Sequence, residues 1–188
     1  MRWTSSATRE LVCTRVFRLT ARSARSPRTG QEHEFFVLEA PDWVNVIPLL
    51  DDGRVVLVRQ YRHAREVTTL EIPGGMMDPQ DASPAEAARR ELLEETGYWA
   101  ERVEPVGVIE PNPAILSNVC HTFVATGLQP RGGQQLDGTE EIEILTAPLA
   151  EIPSMIREGK IAHSLVVVAF CHYLGLGEGG RATAGRDP

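Results

Sequence analysis

The sequence predicts a mixed α/β sandwich preceded by antiparallel strands. Short strand-like runs recur on both sides of one well-punctuated helical segment, a second helical stretch lies near the end, and Gly- or Pro-containing turn signals separate most of them. At 188 residues, 42% of them hydrophobic, the chain can bury one core with an appended piece.

The elements follow in order. Residues 1–7 read as loose. Leu11–Ala21 partly alternates and Glu34–Glu39 answers it, so these two strands are expected to pair across the loop-like "RSARSPRTGQ". Val44–Leu50 and Val55–Tyr61 flank Asp51-Asp52-Gly53, a strand, turn and strand. "TTLEIPGG" is a short strand that stops at a Pro-Gly-Gly breaker. A helix over Pro84–Thr96 comes next, then strands in "VEPVGVIEP" and "VCHTFVATGL" around the loop "EPNPAILSN", and a strand in "EEIEILTAP". Leu149–Glu158 and Ile161–Leu174 read as helices broken at Gly159, and the Gly-rich tail is expected to be disordered. The expected organisation is a strand pair in 1–42, a main domain in 43–174 and a tail in 175–188.

Charge narrows the function classes. Residues 1–30 carry seven Arg against one acid, Glu10, so the rest of the chain is strongly acidic. An acidic body argues against general nucleic-acid binding and suits divalent cations. The Arg- and Ser-rich start has a transit-peptide flavour, but its partial alternation favours the strand reading. No apolar run is long enough to span a membrane; the longest is "LVVVAFC". Cys13, Cys120 and Cys171 form no CxxC pair, as expected of reduced thiols packed as small hydrophobes in a cytoplasmic protein.

The helix over Pro84–Thr96 holds the clearest chemistry. Ser83 can cap it, Pro84 suits its first position, Glu86 can close a capping box, and Gly97 suits its C-terminal stop. At 100° per residue, Glu91, Glu94 and Glu95 share an arc roughly 100° wide beside the packing stripe of Ala85, Ala88 and Leu92. Like charges at these spacings repel by roughly 0.2–0.5 kcal/mol per pair. Partly buried carboxylates need a compensating charge, and Arg90 alone cannot serve three. Mg²⁺ or Mn²⁺ would supply it. The pair Gly74-Gly75 just after a strand lets the backbone turn sharply and bring a carbonyl to the acidic face.

"GGMMDPQDASPAEAARRELLEETGY" resembles the Nudix box: Gly, five residues, Glu, seven residues, then Arg-Glu-apolar-any-Glu-Glu-any-Gly-apolar. Gly75 opens it and Arg90–Tyr98 closes it; a chance match to the closing part is on the order of one in a million per window. The spacing is one residue longer than the pattern, so the first Glu falls on Asp81 or Ala82, which puts Asp81 in question as a site residue. The resemblance implies a Nudix-type α/β/α sandwich with a mixed β-sheet. It also implies hydrolysis of a nucleoside diphosphate linked to another group, with a metal-activated water attacking phosphorus.

Carried over by position, the resemblance makes Glu91, Glu95 and the Gly74 carbonyl metal ligands. Glu94 becomes a further ligand or a base, and Arg90 orients the carboxylates. Glu140 or Glu141, just before a strand, would supply a loop carboxylate, and sequence does not separate them. "LVRQYRHAREVTTLEIPGG" looks like the ADP-ribose and nucleotide-sugar pyrophosphatase branch, and the likeness runs over about Trp43–Leu174. In that reading Arg59 and Arg62 bind the diphosphate through guanidinium forks, Trp43 or Phe36 stacks on the base, and Glu71 and Pro113 complete the substrate site. The branch implies a homodimer built with the N-terminal strands and a nucleotide-sugar substrate; the acidic body and the lack of a long apolar run argue against a nucleic-acid or membrane partner. Two alternatives stand beside it: a hydrolase of damaged nucleoside triphosphates, and a regulatory module that binds a nucleotide sugar without cutting it.

Overall fold

The computed structural model describes residues 2–138 and 140–175. It is an α/β sandwich with mixed sheets, as the sequence predicts. Ten strands run β1 Thr4–Cys13, β2 Arg18–Arg25, β3 Glu32–Glu39, β4 Trp43–Pro48, β5 Arg54–Arg62, β6 Val67–Glu71, β7 Gly74–Met76, β8 Tyr98–Ile109, β9 Cys120–Pro130 and β10 Ile142–Pro148. The helices are α1 Pro84–Thr96, α2 Ile152–Arg157 and α3 Ser164–Tyr173.

The N-terminal part differs from the expected pair. It is a three-stranded antiparallel meander, β1-β2-β3. The run Leu11–Ala21 breaks because Thr14 folds it back: its Oγ1 accepts from the Val16 and Phe17 amides and donates to the Phe17 carbonyl. Residues placed in a loose start and a long loop are thereby drawn into β1 and β2. What remains of the loop is a turn at Ser26–Gly30, where Ser26 Oγ accepts from Arg28 and Thr29.

Two further sheets make the body, ordered β7-β4-β9-β8 and β10-β5-β6. The β4–β9 pair is parallel and its neighbours are antiparallel. The Gly-Gly expected to break a strand instead forms β7, pairing Gly74 with Asn45 and Gly75 with Val44. Glycine is required there. A Cβ at Gly74 would meet the Val44 carbonyl, and one at Gly75 would lie 2.6 Å from Glu91 Oε1.

Alternation along β4 sorts the two cores. Val44 and Val46 pack with Ala87, Ala88, Leu92, Phe123 and Ala125 under α1. Ile47 packs on the other face with Val55, Leu57, Ile72, Val166 and Phe170 under α3. Asn45 therefore shares the α3 face. At the end of the chain, the expected helix Leu149–Glu158 is a 3₁₀ turn, Leu149–Glu151, followed by α2; Pro153, near the start of α2, cannot donate into an upstream turn. The last helix starts at Ser164 rather than Ile161, with His163 in extended geometry. No helix among the described residues is long and apolar enough to cross a membrane. The expected tail, apart from Gly175, lies outside the described residues.

Candidate active site beside a deep cavity

Helix α1 is set by its caps. Ser83 Oγ accepts from the Glu86 amide at 3.2 Å, and Gly97 closes the other end at φ 72° with its amide on the Leu93 carbonyl. The reverse bond of a capping box is replaced, because the Glu86 carboxylate lies 3.6 Å from Arg89. These caps fix the rotation that turns Glu91 and Glu95 toward β7.

Arg90 is the organiser of this face. Its Nε and Nη2 donate to Asp81 Oδ1 and Oδ2, each at 3.0 Å, and Nη2 also reaches the Met76 carbonyl. Its Nη1 donates to Glu91 Oε1 at 2.9 Å and Glu94 Oε2 at 3.0 Å. Asp81 thus belongs to the site as the residue that grips Arg90. The Arg90 guanidinium holds Asp81 below the usual carboxylate range, and Asp81 foremost raises Arg90 further. The extra residue upstream is absorbed in a turn where Asp81 Oδ2 accepts from the Asp78 amide at 2.7 Å.

Glu95 is the most deeply set of the three acids at 3% exposure, and Glu94 the most open. Glu95 Oε2 accepts from the Gly74 amide at 3.2 Å. Burial foremost, then the charge of Glu91, pushes Glu95 up to about 9; burial pushes Glu91 up to about 7. Glu140 adds to the rise at both and supports the charge on Arg62. Gln134 holds this loop near by donating to the Glu95 and Ile142 carbonyls at 2.7 and 3.0 Å. Among the described residues no three His, Cys, Asp or Glu side chains already surround one point. Still, the carboxylate oxygens of buried Glu95 and half-buried Glu91, only partly satisfied by one backbone amide and one guanidinium, are the hard oxygen donors that fit a divalent cation.

Beside this face opens a cavity of about 820 Å³, lined by β4, β6 and β7 and by the start of α3. Trp43, Arg62 and Glu71, three of the residues expected to bind substrate, line it. Arg62 grips Glu71 in two bonds of 2.8 and 2.6 Å, and Thr69 Oγ1 donates to the same carboxylate. Burial, the largest influence, works to raise Glu71, but Arg62, Thr69 and His163 together hold the carboxyl below its usual range. The remaining expected substrate residues lie elsewhere. Arg59 alternates away and pairs with Glu143 at 2.8 Å, and Pro113 is exposed in the loop after β8. Phe36 is exposed on β3. Asn45 and His163 line the cavity but were not singled out by the sequence; a lone Asn within the apolar run "WVNVIP" was the available signal.

The NUDIX domain pattern matches residues 39–165, which take in the acidic helix face, β7 and the cavity. The chain belongs to the Nudix family. With its box carboxylates and arginine in place, it is a Nudix pyrophosphohydrolase. It is 31% identical to the methanol dehydrogenase activator of Bacillus methanolicus, over 91% of each chain. It is 27% identical to an ADP-ribose pyrophosphatase of Bacillus subtilis strain 168, over 79% of this chain and 80% of that one. A crystal structure of an ADP compounds hydrolase shares its fold at a TM-score of 0.83, with 22% identity over 94% of each chain. Nudix hydrolases generally use divalent metal ions.

Proposed function

We propose that this Nudix protein hydrolyses the diphosphate bond of a nucleoside diphosphate sugar, ADP-ribose or similar, to a nucleoside monophosphate and a sugar phosphate, with Mg²⁺ or Mn²⁺. The single observation that carries the reading is adjacency. The buried acidic face of α1 and a cavity large enough for a nucleotide-sized ligand share Gly74 and Gly75.

Glu91, Glu95 and the Gly74 carbonyl would hold the cation, with Glu94 as a further ligand. Bound there, it would offset the diphosphate charge and make water a better nucleophile. The chain's own residues do the rest. Arg90, fixed by Asp81, aims the carboxylates. Glu140 is favoured over Glu141 as the loop carboxylate that takes a proton from the attacking water, because its charge is felt at the acidic face. Arg62 faces the diphosphate, with Glu71 and Thr69 holding it, and Trp43 offers an aromatic plane to the base. Arg59 has no place in this site.

The meander β1-β2-β3 leaves Trp3, Val12, Phe35 and Phe36 exposed, which supports a homodimer formed through residues 1–42, with the hydrolase domain at 43–174. The protein is proposed to be cytoplasmic, with no nucleic-acid or membrane partner.

The test is a panel of ADP-ribose, GDP-mannose, UDP-sugars, dinucleoside polyphosphates and 8-oxo-dGTP with Mg²⁺ or Mn²⁺. Nucleoside monophosphate released from a diphosphate-linked sugar supports the proposal. Preference for the oxidised triphosphate supports the damaged-nucleotide alternative instead, and tight binding of a nucleotide sugar with no turnover supports the regulatory one.

A further inference from the structure

The cavity wall carries a histidine whose ring makes no hydrogen bond to the described residues. His163 stands at the N-cap position of α3, yet its side chain makes no bond to the first turn of that helix. It lines the cavity together with Arg62 and Glu71. Its Nδ1 is buried, 3.9 Å from Glu71 Oε2. The side chain as a whole is 32% exposed, so the open edge of the ring is the one that carries Nε2.

The Glu71 carboxylate decides which nitrogen holds the proton. At 3.9 Å the pair is too long for a hydrogen bond but close enough for charge to act. A lone pair on Nδ1 would face a negative oxygen, whereas an N–H there is attracted to it. A neutral imidazole protonated at Nδ1 has its lone pair on Nε2. Burial, the largest influence, lowers the pKa of His163 against the pull of Glu71, which favours the neutral ring. The open nitrogen is therefore an acceptor.

Arg62 supplies the complement. Its Nη2 lies 2.6 Å from the same Glu71 Oε2, and its Nε bonds Oε1, so the guanidinium and the imidazole are neighbours across one oxygen. Its Nη1 makes no hydrogen bond to the described residues, which leaves one prong of the fork for a ligand. This wall thus sets a cationic donor beside a neutral acceptor. A bare phosphate satisfies the first and turns oxygen lone pairs toward the second. A sugar phosphate satisfies both, because a hydroxyl donates while the phosphate next to it accepts.

We infer that His163 is a specificity-determining residue: its Nε2 accepts a hydrogen bond from a sugar hydroxyl, beside the phosphate held by Arg62, and so selects a nucleotide that carries a sugar over the bare nucleotide. That the hydroxyl belongs to a nucleotide sugar rests on the proposed function; the acceptor at the cavity wall does not. His163 binds, and it takes no part in proton transfer.

The experiment has a spectroscopic arm and a binding arm, both in EDTA on the full chain. Long-range ¹H–¹⁵N correlation at neutral pH reads the tautomer, with His163→Gln identifying the ring among the five histidines. Calorimetry compares ADP-ribose with ADP, and GDP-mannose with GDP. It does so in wild type, in His163→Phe, which keeps a ring and loses the acceptor, and in His163→Gln, whose amide oxygen restores one. The proton is expected on Nδ1, with an Nε2 resonance that shifts when the sugar nucleotide binds. His163→Phe is expected to weaken that sugar nucleotide about tenfold and its parent nucleotide less than about twofold, and His163→Gln to recover part of the loss. A proton on Nε2, an imidazolium, no binding of either sugar nucleotide by wild type, or equal effects of His163→Phe on sugar nucleotide and parent overturns the inference. The tautomer is read on wild type, so the test does not depend on the folding of the Phe variant. A wild type that binds a sugar nucleotide through His163 but cuts none leaves this inference standing and sinks the proposed hydrolysis instead.

Discussion

Asp81 and Arg90 are joined by a two-pronged ion pair, with both N–O distances at 3.0 Å, and the same guanidinium holds Glu91 and Glu94. One arginine therefore connects the loop before the helix to its acidic face. Asp81 is 8% exposed, so its partner cannot be replaced by water without cost.

Asp81→Ala is expected to lower kcat about tenfold or more while leaving all three helix carboxylates present, because Arg90 loses its anchor. Asp81→Glu, which restores a carboxylate, recovers part of the loss. Kinetics of the two variants check this; equal activity in Asp81→Ala and wild type contradicts it. The pair also carries a pH signature. Asp81 has a lowered pKa in the folded state, so its contribution is complete above the ordinary Asp value and fades as pH falls through the folded one.

Glu95 and Glu91 predict the opposite slope. Their folded values are raised to about 9 and about 7, so the metal-free protein gains from their protonated forms at low pH and loses that advantage as pH climbs from about 4.5 toward 9. Thermal midpoints in EDTA are expected to fall over that window. Glu95→Gln flattens the slope and melts higher than wild type at pH 8, although it loses activity. Mg²⁺ should stabilise wild type more at pH 8 than at pH 6, since the carboxylates must shed protons to bind it. A variant that is destabilised in EDTA at pH 8 refutes the burial account of Glu95.

The box chemistry was legible because it is local: caps, spacing and charge arc all lie within one helix. What the sequence hid depends on distant partners. Arg59 and Arg62 look alike along β5, yet alternation sends Arg59 to Glu143 on β10 and Arg62 to Glu71 on β6. Thr14 splits a plausible strand by bonding its own neighbours, a choice that propensity does not show. Spacing alone puts Asp81 in question, yet a tight turn at Asp78 makes up the extra residue.

Glu71, 3% exposed, is the acid that grips Arg62 in two bonds. Glu71→Ala is expected to destabilise the fold by about 3 kcal/mol, since it strands a charge in a half-buried setting. It should also raise KM for the nucleotide sugar as Arg62 swings free. Urea denaturation and steady-state kinetics check the two effects separately.

Glu140 is the loop acid whose charge adds to the rise at both Glu91 and Glu95. Glu140→Gln is expected to reduce kcat about a hundredfold, within the range of a lost general base, and Glu141→Gln less than threefold. The reverse order would move the base by one residue.

Phe36→Asp on the exposed face of β3 is expected to convert a dimer to monomers in sedimentation velocity, without unfolding residues 43–174. A monomeric wild type contradicts the assembly proposed for the N-terminal meander.

The most direct measurement of the central claim is the release of nucleoside monophosphate from ADP-ribose and GDP-mannose with Mg²⁺, in wild type and Glu95→Gln side by side. The predicted result is steady turnover of at least one of them by wild type, abolished by EDTA and reduced at least a hundredfold by Glu95→Gln. Turnover that survives both EDTA and the substitution, or none from any diphosphate-linked sugar, would contradict it.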